Sequence, residues 1–187
     1  MSTARKLAPA GIAAVLALTI APAAQAQTTA TPIPAGSASS VAAAGRHASA
    51  QDKWFLRQAH QGNLAEIAAG KAALRESRDK GVRAIAWRLV QDHGKLDARL
   101  REVARRLHVS LPDRPSAAQR ADLWHVQKRD GRRFDRAWLR LQEDAHVQTL
   151  QLIRRELRDG HSRWVKDLAD DAAPVVRHHL RAIRAER

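Results

Sequence analysis

The chain contains no cysteine and no tyrosine, and aromatic residues make up only 4% of its 187 residues. Without cysteine there is no disulfide framework, zinc–thiolate site, iron–sulfur cluster or cysteine nucleophile. The scarcity of aromatics, beside abundant Ala, Leu and Arg, argues against a β-sandwich and for helices. Acidic residues are also in deficit: 19 Asp and Glu against 33 Lys and Arg give a formal charge of +14. Such a field favours anionic partners without naming one. No phosphate-cradling glycine loop, Gly-x-Ser-x-Gly elbow or His-Glu-x-x-His is present.

What is there begins with an address. Arg5 and Lys6 precede an apolar stretch from Leu7 to Ala21, and Ala24-Gln25-Ala26 has the small-x-small pattern of a cleavage site. The expectation is a signal peptide over 1–26, cut before Gln27, which places the mature protein in the periplasm or elsewhere outside the cytoplasm. Losing Arg5 and Lys6 lowers the net charge by two and leaves a strongly basic protein. No later stretch has the roughly 20 clean apolar residues of a membrane span. Residues 27–51, rich in Thr, Ala, Pro, Ser and Gly, read as a flexible tether, because they bury too little to offset their ordering entropy.

From Asp52 to Arg187 the apolar period is helical. Phe55, Ala59, Gly62, Glu66, Ala69 and Ala73 mark one stripe, closed by Arg78-Asp79-Lys80-Gly81. Val82, Ala86, Leu89, His93, Leu96, Leu100, Val103 and Leu107 mark a second, ended by Pro112 and Pro115. A capping pattern at Ser116 to Gln119 opens a third helix, interrupted near Asp130-Gly131 and continuing through Asp135, Leu139, Glu143 or Gln142, His146, Leu150, Ile153 and Leu157. Trp164, Leu168, Ala172, Val175, His179 and Ile183 form the last, with Pro174 expected to kink or restart it. Four such stripes predict an all-α domain over 52–187, an antiparallel four-helix bundle.

Each stripe carries an ionisable residue within its apolar run: Glu66, His93, His146 and His179. Stripes that converge bring these four groups together, and buried carboxylates and imidazoles must be paired. Two solutions stay open. One is a single divalent ion (Fe, Zn, Mn or Cu) held by the four, with Asp92, Asp135 and Glu143 as outer candidates. The other is a hydrogen-bond network among the same residues. Glu143 and His146 form a Glu-x-x-His pair, but the positions three before His93 and His179 are Val90 and Val176, so a full di-iron carboxylate set is not encoded. His60, His108, His125, His161 and His178 are expected at the surface, and Trp54, Trp87, Trp138 and Trp164 in boundary or core packing. Rows of arginine (Arg99, Arg101, Arg105 and Arg106; Lys128, Arg129, Arg132 and Arg133; Arg177, Arg181, Arg184 and Arg187) suit anionic envelope polymers or lipids. Export and the absence of a groove-reading motif argue against nucleic acid.

Asp52, Phe55, Ala59, Gly62 and Glu66, then Val82, Ala86 and Asp92-His93, then Phe134-Asp135 and His146, then Leu168-Ala169, Pro174 and His179-Leu180 together resemble the exported bacterial family of unknown function numbered 4142. Its members are often labelled as predicted outer-membrane proteins. The resemblance spans about Asp52 to Ala182 and implies a ferritin-like bundle in the cell envelope, with Glu66, His93, His146 and His179 as recurrent polar positions. It implies no activity, and nothing after Ala26 reads as the strands of a membrane barrel. Trp138 departs from the family's commoner hydroxyl-bearing aromatic, and the surface is unusually basic.

Overall fold

The computed structural model describes residues 47–187; the expected signal segment and nearly all of the tether lie outside them. Five helices occupy the described residues: α1 (Ala50–Glu76), α2 (Lys80–Arg106), α3 (Ala117–Gln127), α4 (Gly131–Asp159) and α5 (Arg163–Glu186). The first helix begins two residues earlier than the apolar pattern suggested, because Ser49 and Asp52 form a reciprocal capping box that sets its start. The expected third helix is two helices. Gly131, with φ of 47°, opens α4 in a conformation that a helix interior does not allow, so the chain changes direction there. Pro174 neither stops nor restarts α5, which runs through it as one helix.

The four long helices form the bundle, with α1 against α2 and α4, and α5 against α4 and α2. Contacts at the two ends give the directions. Asp52 at the start of α1 accepts from the backbone N–H groups of His161 and Ser162 at the turn into α5 (2.9 and 3.0 Å), whereas Trp138 near the start of α4 donates its indole N–H to Ala69 O at 2.9 Å. Every neighbouring pair of long helices is therefore antiparallel, and α2 and α4 point the same way. A parallel pair needs a connection that travels the length of the bundle. Residues 107–130 make it. They leave among Leu107 and Val109 in one apolar cluster and arrive with Val126 in the other, carrying α3 across α1 and α4. His60 Nε2 and Arg57 Nε both donate to the start of this crossover, at Pro112 O (2.9 Å) and Ser110 O (3.1 Å).

The interior is two apolar clusters with a polar layer between them. Phe55, Leu56, Leu100, Ile153 and Val176 belong to one cluster; Ala73, Leu89, Trp138, Leu139 and Ile183 belong to the other. On every long helix the polar stripe residue lies between the two: Glu66 between Leu56 and Ala73, His93 between Leu89 and Leu100, His146 between Leu139 and Ile153, His179 between Val176 and Ile183. Each of the four is buried.

Candidate metal centre

Three of those residues meet. His93, His146 and His179 each turn one ring nitrogen toward the other two, and these nitrogens all lie within 4.8 Å of one another. The ring centroids form a nearly equilateral triangle with sides of 5.4 to 5.6 Å. Exposure is 3%, 1% and 1% respectively, so the cluster is shut off from bulk water.

The outward nitrogens decide the protonation. His93 Nδ1 lies 2.9 Å from Asn63 Oδ1, His146 Nδ1 2.8 Å from Gln142 O, and His179 Nε2 3.0 Å from Asp92 Oδ2. All three partners are acceptors, so each outward nitrogen carries the N–H, and each inward nitrogen of a neutral ring carries a lone pair. Burial, followed by the neighbouring charges of His146 and His179, drives the His93 pKa well below the usual imidazole range. Burial brings His146 to about 4 against the opposing hydrogen bond to Gln142, and lowers His179 against the opposing Asp92. The rings are therefore neutral at pH 7, with three lone pairs facing one another. His93 Nε2 has no partner, and the His146 Nε2 to His179 Nδ1 distance is 3.4 Å with no proton to share. The set can hold a metal ion. Two ligands of a tetrahedral zinc at about 2.0–2.1 Å stand roughly 3.4 Å apart, and a metal-bound imidazole characteristically donates its other N–H to an oxygen.

The remaining candidates fall elsewhere. Glu66 is buried, but its Oε1 lies 3.7 Å from His146 Nδ1, the outward nitrogen, so it stands behind that ring and outside the facing triad. Burial raises its pKa to about 8, and its Oε2 has no partner. Asp92 joins the centre as the acceptor behind His179. Asp135 and Glu143 do not. Asp135 lines a separate pocket beside Arg132 and Arg136, and Glu143 is held by Arg184 at 2.9 Å and by Arg187.

The hydropathy pattern missed part of the polar layer. Asn63 and Gln142, which hold the outward protons of His93 and His146, are buried at positions where it chose Gly62 or left Gln142 undecided. His60 is not a surface residue: it is 5% exposed and bonded through Nδ1 to buried Asp97 at 2.5 Å, because α1 turns its His60–Asn63 edge, and not Ala59–Gly62, to α2. His108, His125, His161 and His178 are exposed. Of the tryptophans, Trp138 alone is core; Trp54, Trp87 and Trp164 stand at the surface, Trp54 beneath the Arg155 guanidinium.

The comparisons match this architecture. The model of a domain of unknown function, DUF4142, matches residues 37–185. The chain belongs to the DUF4142 family. A DUF305 fragment from Deinococcus radiodurans, solved as a crystal structure, superposes on this DUF4142 chain with a TM-score of 0.67 at 16% identity, over 74% of this chain and 96% of the fragment, which is a likeness of fold. No curated protein matches the sequence.

Proposed function

We propose that this DUF4142 protein is an exported cell-envelope protein that binds one metal ion through His93, His146 and His179. The observation that carries the reading is the pinning of all three ring protons outward onto Asn63, Gln142 and Asp92, which leaves three buried lone pairs convergent. Unpaired, such nitrogens cost about 1–3 kcal/mol each, on the scale of the stability of a domain of this size. A cation removes that cost. Neutral nitrogen donors suit Cu2+ and Zn2+ better than Mn2+, and Fe2+ falls between. Asp92, the acceptor behind His179, supplies negative charge to offset the ion. A ferritin-like assignment draws support from the single long crossover between parallel α2 and α4, the connection that ferritin-like bundles carry. The carboxylates of their di-iron centres are not present at Val90 and Val176, so the centre is mononuclear.

The test is elemental analysis of the mature protein purified without a histidine tag. The expected result is close to one transition-metal ion per chain, reduced to background by His93→Ala and His179→Ala, with a melting temperature that drops on adding chelator. Metal-free protein whose melting ignores both chelator and added Zn2+ or Cu2+ overturns the reading.

A further inference from the structure

Among the described residues the buried aromatics are Phe55, Phe134 and Trp138, and every exposed one is a tryptophan: Trp54, Trp87, Trp124 and Trp164, from 38% to 59% exposed. Three of these rings lie under a cation. Lys128 Nζ is 4.6 Å from the Trp124 centroid, the Arg155 guanidinium 4.5 Å from that of Trp54, and the Arg106 guanidinium 5.9 Å from that of Trp164. Trp54 lines the cleft between α3 and the bundle, so it lies on the α1/α4 side that the crossover covers. Trp124 is on α3 itself. The one buried residue of α3 is Val126, and helical spacing turns Gln119, Asp122 and Leu123 the same way, into the cleft. The opposite, outward face carries Ala117, Arg120, Ala121 and Trp124, leads into Lys128 and holds no acid. Trp164, under Arg106 of α2, lies across the bundle on the α2/α5 side. Cations there are tied down, Arg106 to Glu102 and Arg99 to Asp171. Lys128 and Arg155, by contrast, take part in no ion pair among the described residues.

We propose that the α3-bearing side of the bundle docks on the headgroup layer of an anionic bilayer, with Trp124 and Trp54 entering the interface and Lys128, Arg155 and Arg120 meeting lipid phosphates. Tryptophan joins an apolar body to a polar N–H and settles where headgroups meet acyl chains. Lysine and arginine lay their stems along such a ring and keep their charged heads in water, so each ring and its cation match the two layers of a lipid surface. A soluble polyanion offers the charge without the apolar layer, and leaves the rings wet. The docking requires no ion at the histidine centre, whose ligands are buried inside the bundle.

The test is co-sedimentation of the whole mature protein with vesicles of mixed phosphatidylglycerol and phosphatidylcholine, alongside tryptophan fluorescence with lipids brominated on the acyl chains. The expected result is binding with a blue shift and quenching by the brominated chains. Trp124→Ala and Trp54→Ala, at exposed positions where unfolding is not at issue, are each expected to weaken binding at least about fivefold and to remove part of the quenching. Lys128→Gln is expected to weaken it roughly fivefold, the worth of one basic residue at an anionic surface. Trp164→Ala, the same chemistry on the opposite side, is expected to change neither readout, and chelator is expected to leave binding as it was. No binding, binding without quenching, or equal losses in Trp164→Ala and Trp124→Ala overturns the proposal. Dextran sulfate bound as tightly as the vesicles, with the same dependence on Trp124, overturns it in favour of an anionic polymer.

Discussion

At the residue scale the centre is organised by where three protons sit. Asn63, Gln142 and Asp92 belong to three different helices, and each accepts from a histidine, on a facing helix or, for Gln142, one turn along its own. Because the rings are already neutral at pH 7, metal uptake has almost no protons to displace. Calorimetry in buffers of different ionisation enthalpy is expected to find fewer than about half a proton released per ion at pH 7, against more from surface histidines near their ordinary pKa of about 6.5. A second buried pair closes the other end of α1. Burial works against the Asp52 carboxylate, but hydrogen bonds from Glu156, Ser49 and the Ser162 backbone outweigh it and lower its pKa; burial and the hydrogen bond to Asp52 push Glu156 up to about 7. An acid whose pKa is raised on folding holds its proton in the folded state while the unfolded chain releases it, so stability falls as pH rises from the unfolded value through the folded one. Relative to Glu156→Gln, which keeps a donor for Asp52 and does not titrate, the native protein is expected to lose on the order of 1–3 kcal/mol between pH 5 and 8, measured by urea unfolding at each pH.

At the scale of elements, the approach of α1 to α2 depends on small residues. A Cβ on Gly70 would lie 2.9 Å from Ala86 O and 2.7 Å from a Val90 methyl, and backbone oxygen cannot step aside. Gly70→Ala is expected to cost about 1–3 kcal/mol by forcing the helices apart. Gly94, also within a helix, has nothing within 4 Å of such a Cβ, and Gly94→Ala is expected to add about 0.5–1 kcal/mol through backbone entropy. Thermal unfolding of the two variants measures both signs. The same elements mark how far apolar spacing could be read. It found α2 and α5 as helices, but on α5 it chose Trp164, Leu168, Ala172 and Val175 where Val165, Ala169, Ala173 and Val176 are buried, and on α2 Leu96 and Val103 where Asp97 and Ala104 are, because an apolar residue flanks the buried one at each of these positions. On α1 it slipped at Ala59 and Gly62, where the buried residues are His60 and Asn63, because a polar residue satisfied by a neighbour looks exposed to any hydropathy rule. It carried one helix past the interruption it saw near Asp130-Gly131; Arg129 and Asp130 leave the helix there, Asp130 in an extended conformation, and Gly131 follows with a positive φ, so the break is a full helix end.

Across the whole molecule, two apolar clusters clamp one polar layer, and charge is pushed to the outside. The arginine rows are partly neutralised: Arg99 pairs with Asp171, Arg101 with Asp97, Arg106 with Glu102, and Arg184 and Arg187 with Glu143. The net charge of +14 remains. Adsorption to vesicles containing anionic lipid is therefore expected to weaken steeply between low and moderate salt, since exposed charges are screened over a Debye length of about 8–10 Å. Co-sedimentation across a salt series checks it, and salt-independent binding would count against an anionic surface as partner. No helix among the described residues is long and apolar enough to cross a membrane.

The amino-acid order alone determines that this chain is helical, basic and free of cysteine chemistry, and that ionisable groups fall within its apolar stripes, because composition and local periodicity are properties of neighbours along the chain. Which of those groups meet was decided only in three dimensions. The rotation of each long helix about its axis sets whether a side chain faces the centre or the space behind a neighbouring ring. That rotation depends on packing between residues far apart in sequence, such as Trp138 on Ala69 and Gly70 on Ala86. It put His93, His146 and His179 face to face, and set Glu66 behind them in the wall of a cleft that the α3 crossover creates.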